Sequence, residues 1–143
     1  MRLLPVLLLT GCAFSNAYSA HGTIAETQCE RAFVCTDSYP SDAPHTFESV
    51  YGTSIEDCVE RLSPDPADQD NYRASEKAGD LVYSKSAAKS CVSIIEASGC
   101  DAFFADPAPG DCGGPFVGSV ESGGTCSIDL ACESSFCRDG ACN

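Results

Sequence analysis

The chain has 143 residues, 43% of them hydrophobic, with 11 cysteines, no tryptophan and a formal net charge of −13. That length accommodates one domain of ordinary size with a small appendage and excludes two large domains. The acidic balance argues against nucleic acid and against anionic membrane surfaces, since both recruit basic patches; acidic side chains keep an exported protein soluble.

A lone Arg2 precedes an apolar run over residues 3–9 that closes on Leu9-Thr10-Gly11-Cys12. The run is too short to cross a bilayer core of about 30 Å, and no later segment is continuously apolar. The tetrapeptide resembles a bacterial lipobox. The resemblance implies that residues 1–11 are a signal peptide and that Cys12 becomes the acylated first residue of the mature chain. A second reading is an ordinary secretory cut after Ser15-Asn16-Ala17, where small residues flank the site. Ala13 and Phe14 lack the retention aspartate of inner-membrane lipoproteins. The resemblance therefore implies the outer membrane, with the chain either periplasmic or surface-exposed. A triacylated cysteine anchors more firmly than the single acyl chain that binds only marginally. Setting Cys12 aside leaves ten cysteines: Cys29, Cys35, Cys58, Cys91, Cys100, Cys112, Cys126, Cys132, Cys137 and Cys142. In an exported chain they predict a complete disulfide framework.

Residues 13–22 (AFSNAYSAHG) are small and polar without a period, which predicts a flexible tether carrying His21. Thr23-Ile24-Ala25-Glu26 has capping-box spacing, and Ile24, Ala25, Cys29, Ala32 and Phe33 share one helical face, predicting a helix over about 24–35. Thr53-Ser54-Ile55-Glu56-Asp57 opens a second short helix with Cys58 inward. Residues 63–71 (SPDPADQDN) read as an exposed loop. From Ser75 the spacing of Leu81, Ser84, Ala88, Cys91 and Ile94 or Ile95 predicts the longest helix, ended by Gly99. Residues 101–105 add a turn carrying Phe103 and Phe104 before Pro107 and Pro109.

Beyond Cys112 the chain is rich in glycine and cysteine and poor in apolar periodicity, so disulfides rather than a core are expected to hold it. Residues 116–120 predict a short strand, and Asp139-Gly140 a hairpin turn between Cys137 and Cys142. The expected fold is small, disulfide-rich and mainly α, with about three to four short helices over residues 23–115, followed by a cysteine-rich, β-ribbon-like module over 116–143. Six cysteines fall in the first block and four in the second, so each block can close on itself.

The helical cysteines, the Tyr51-Gly52-Thr53-Ser54 entry to Cys58-Val59-Glu60-Arg61-Leu62, and Val120-Glu121-Ser122-Gly123-Gly124-Thr125-Cys126 together resemble cysteine-rich lipoproteins of the myxobacterial type. The tail is similar to the N-terminal cysteine-rich region of Dickkopf proteins and to EGF-like modules. The myxobacterial-type family has no established activity, so the resemblance implies location and architecture. In the tail it implies crossed pairing, Cys126 with Cys137 and Cys132 with Cys142.

Gly110-Asp111-Cys112-Gly113-Gly114-Pro115 resembles the nucleophile loop of chymotrypsin-fold cysteine proteases. Such an enzyme also needs a histidine base, an orienting carboxylate and a double barrel, whereas here only His45 lies in the expected folded region. Asp65, Asp68, Asp70 and Asn71 carry oxygen ligands of the kind calcium takes, without EF-hand spacing. The tail cysteines, with five, four and four residues between them, lack the paired spacing of zinc sites. The expectation is a non-enzymatic, lipid-anchored interaction or envelope-structural module with no metal, cofactor or nucleic acid, meeting the membrane through its lipid and an unidentified protein or envelope partner. The alternative is a secreted effector or protease inhibitor using the loop at residues 132–137, with Phe136 exposed.

Overall fold

The computed structural model describes residues 13–105, 112 and 114–143. Residues 1–12, with the signal-peptide reading and Cys12, lie outside the described residues. Among the described residues the fold is small and mainly helical, with two small sheets and five disulfides.

The first helix, α1, runs Ala17–Val34. It starts well before the expected position because Asn16, in extended conformation, forms the N-cap. Its side chain accepts from the Ser19 amide, while Ser19 Oγ accepts from the Asn16 amide. Thr23 is an interior residue of α1, not a cap. The expected tether is thus replaced by four residues and a helix whose Ala17 and Ala20 are fully buried. Alanines allow close approach between helices, and they leave little trace in a hydrophobic pattern.

After a 3₁₀ turn at Thr36–Ser38, α2 (Phe47–Tyr51) is capped by Thr46 and α3 (Ile55–Leu62) by Ser54. Cys58 on α3 points inward and joins Cys29. Residues 63–71 are not wholly loop: a 3₁₀ turn at Pro66–Asp68 leads straight into α4 (Gln69–Ala78). The long helix expected from Ser75 is divided. Gly79 takes φ 83°, a left-handed conformation that suits glycine, and caps α4. Strand β1 (Leu81–Tyr83) follows, and only then α5 (Lys85–Ala97), with Ser84 as its cap. The short α6 (Cys100–Ala105) carries Phe103 and Phe104. Around them Phe33, Tyr39, Phe47 and Tyr51 meet mostly edge to face, with centroid separations of 5.0 to 6.5 Å. Burial, then the neighbouring Tyr39, raises the Tyr51 pKa.

Strand β2 (Phe116–Gly118) pairs antiparallel with β1, Val82 opposite Val117 on the solvent face and Tyr83 opposite Phe116 on the inner face. A 3₁₀ turn at Asp129–Ala131 precedes the hairpin β3 (Cys137–Arg138) and β4 (Ala141–Cys142). Asp139 and Gly140 both have positive φ, as a tight two-residue hairpin turn requires.

Two apolar clusters hold the body. Ala20, Ile24, Ala32, Ala88, Cys91, Ile95 and Phe103 form one among α1, α5 and α6. Ala17, Tyr72, Leu81, Ile128 and Ala131 form the other, and Tyr83 and Phe116 pack against both. The tail is therefore not held by cystine alone: Ile128 and Ala131 bury against α1, α4 and β1. At the start of the expected second block, β2 completes a sheet begun at Leu81.

Candidate functional site

The N-terminal junction, where the chain enters the fold, collects more long-range contacts than its sequence announces. Thr23 Oγ1 lies 3.1 Å from the carbonyl oxygen of Ala13 and 3.0 Å from that of Ser19, sharing its proton between them. The Tyr83 hydroxyl donates to the Phe14 carbonyl at 3.2 Å, and the Phe14 ring packs on the first cluster. The Ala17 amide faces both carboxylate oxygens of Glu76 at 3.4 Å, a favourable charge for a helix N-terminus. One turn further, His21 Nδ1 and the Tyr72 hydroxyl are 2.7 Å apart, with the Phe116 ring 5.7 Å from the imidazole. Burial lowers the His21 pKa. Burial first, then the charges of Asp68, Asp129 and Tyr18, raise that of Tyr72 far above its ordinary value. Which of the two atoms donates is set by the imidazole tautomer. Sequence reasoning placed His21 in a tether and missed this pair; only the polarity of α4 around one aromatic, Tyr72, hinted at an inward-facing site.

The ten cysteines among the described residues are all paired. Cys29–Cys58, Cys35–Cys100 and Cys91–Cys112 close the first block. Cys126–Cys137 and Cys132–Cys142 close the tail in the crossed pattern. Of the protease-like segment, Gly110, Asp111 and Gly113 lie outside the described residues, while Cys112 is bonded to Cys91. A cystine sulfur is no thiolate nucleophile. His45 is exposed, and its carbonyl accepts from the Tyr39 hydroxyl.

The acidic segment does not assemble a cation cage. Asp65 accepts from the Ala67 amide, Asp68 from the Asn71 side chain, and Asp70 pairs with Arg73 at 3.5 Å. Among the described residues, the one cluster of three potential metal ligands is Cys126, Cys132 and Cys137, within 4.8 Å of one another. Each sulfur is already committed to a disulfide.

The loop at residues 132–137 does present a side chain. Phe136 is 52% exposed, and its backbone is fixed from both ends: Asn143 donates to its carbonyl at 3.0 Å, and the next amide, Cys137, donates to Asp129 at 2.7 Å. Ser135 just before it has φ 56°. A cavity of about 170 Å³ lies among Thr27, Glu30, Arg31, Val34 and Glu96, where Arg31 Nη2 donates to the Ser98 carbonyl and its buried Nε has no partner among the described residues.

No helix among the described residues is long and apolar enough to cross a membrane. No protein-family model, curated protein or solved structure matches the chain.

Proposed function

We propose that the mature chain begins at an acylated Cys12 and works as a non-enzymatic, disulfide-stabilised module anchored in the bacterial outer membrane. On this reading the body engages a protein or envelope partner, and the tail is a ribbon-like cysteine-rich module resembling those of the myxobacterial-type lipoproteins. The observation that carries the reading is the integration of residues 13–17 into the fold. A secretory cut after Ala17 removes the buried Ala17, the Asn16 cap and the Phe14 contact. Loss of an asparagine cap alone costs about 1 kcal/mol. Cleavage before Cys12 spares all three. Five cystines further support an oxidising compartment.

Metabolic labelling with a palmitate analogue tests this. Label is expected on the wild-type chain and lost in Cys12→Ala, because thioether acylation needs that sulfur. A mature protein that starts at Tyr18 and partitions into the aqueous phase of a detergent extract overturns the assignment. The fixed, exposed Phe136 favours a second reading, a secreted effector or inhibitor whose tail loop enters a partner's cleft; the same aqueous-phase result supports it.

A further inference from the structure

We propose that the exposed face of α5 bearing Lys85 and Lys89, with the Phe14 edge of the junction, rests on the phospholipid headgroup layer. This orientation deepens the lipid-anchor reading and depends on it. Cys12 is bonded directly to Ala13, and consecutive Cα atoms are about 3.8 Å apart. An acyl group on Cys12 therefore enters the membrane one residue from a point that the fold holds. Ala13 is held by Thr23 and Phe14 by Tyr83, so no flexible linker intervenes at these positions. A domain anchored without slack presents to the bilayer the face beside its anchor.

That face has the required chemistry. Phe14, Lys89, Val92 and Ser93 line a cavity of about 320 Å³ beside the junction. Among the described residues, Arg61, Arg73 and Arg138 are paired with Asp57, Asp70 and Asp139, whereas Lys77, Lys85 and Lys89 form no ion pair. Lys85 and Lys89 are both exposed and lie one turn apart on α5. Long lysine stems can lie along Phe14 and Val92 while the ammonium groups reach lipid phosphates. The acidic balance of the whole chain argues against attraction to anionic surfaces at large, whereas this contact is local. Surface potentials decay within about 8 Å at physiological salt, so only groups at the contact count. Glu76 is a carboxylate held at the junction itself, where it faces the Ala17 amide at the positive end of α1. Glu96, the acidic residue of α5, stands about 10 Å along the axis from Lys89.

The absence of tryptophan makes the orientation measurable. Single reporters Ser93→Trp, beside the cavity, and Val34→Trp, 74% exposed at the far end of α1, are introduced separately. Each acylated full-length protein is reconstituted into phosphatidylethanolamine and phosphatidylglycerol vesicles, with or without brominated acyl chains. The Ser93→Trp emission is expected to fall roughly two-fold with bromolipid, while that of Val34→Trp stays constant. Adding Lys85→Glu and Lys89→Glu should abolish the Ser93→Trp quenching without reducing palmitate labelling. Equal quenching, or none, in both reporters of a palmitate-labelled protein overturns the orientation and leaves the anchor standing. Unlabelled wild-type protein overturns both.

Discussion

Burial of His21 beside Tyr72 disfavours the imidazolium, so the folded chain holds this ring below its ordinary pKa of 6.5. The unfolded chain then binds more protons in that range, and stability must fall as pH drops through 6.5 towards the folded value. Above 6.5 the ring is neutral in both states and the penalty vanishes. The slope from this one group is at most about 1.4 kcal/mol per pH unit. Urea unfolding of wild type and His21→Gln, compared from pH 7.5 to 5, should show the variant losing less stability on acidification; parallel curves would contradict the assignment. The inward position of Cys58 was legible from helical spacing with Ile55 and Leu62. That of His21 was not, because its partners lie on α4 and β2, far along the chain.

Among the elements, cystines do unequal work. In the chain-entropy account the 65-residue closure by Cys35–Cys100 is worth about 4 kcal/mol and the 10-residue closure by Cys132–Cys142 about 3. Replacing both members of each pair by alanine should therefore lower the denaturant midpoint more for Cys35 and Cys100 than for Cys132 and Cys142; the reverse order would show that the tail cystine acts through native packing instead. Element boundaries followed the same local logic where it was strong. Ser54 and Asp57 announced α3, and Asp139-Gly140 announced the terminal hairpin. The helix expected from Ser75 runs through Gly79 because its apolar stripe starts only at Leu81, whereas the left-handed φ of Gly79 separates α4 from β1. Gly118 likewise gives no outward sign of its role: a Cβ there would collide with the Cys132 carbonyl, so glycine lets β2 press against the tail.

Across the whole molecule, the even division of cysteines into two blocks was readable from composition, and the pairs respect it. The joining of those blocks was not readable. It depends on Ile128 and Ala131 finding Ala17, Tyr72 and Leu81, contacts between segments that show no shared pattern. The same long-range packing turns a short polar stretch after Cys12 into a fixed point of entry, so the lipid-anchor reading and the orientation drawn from it meet at one residue. Intact-mass analysis of the membrane-extracted protein, alkylated under denaturing and non-reducing conditions, tests that reading most directly. The account predicts a chain beginning at Cys12 with diacylglyceryl and N-acyl mass and no alkylated thiol; an unmodified chain beginning at Tyr18 would contradict it.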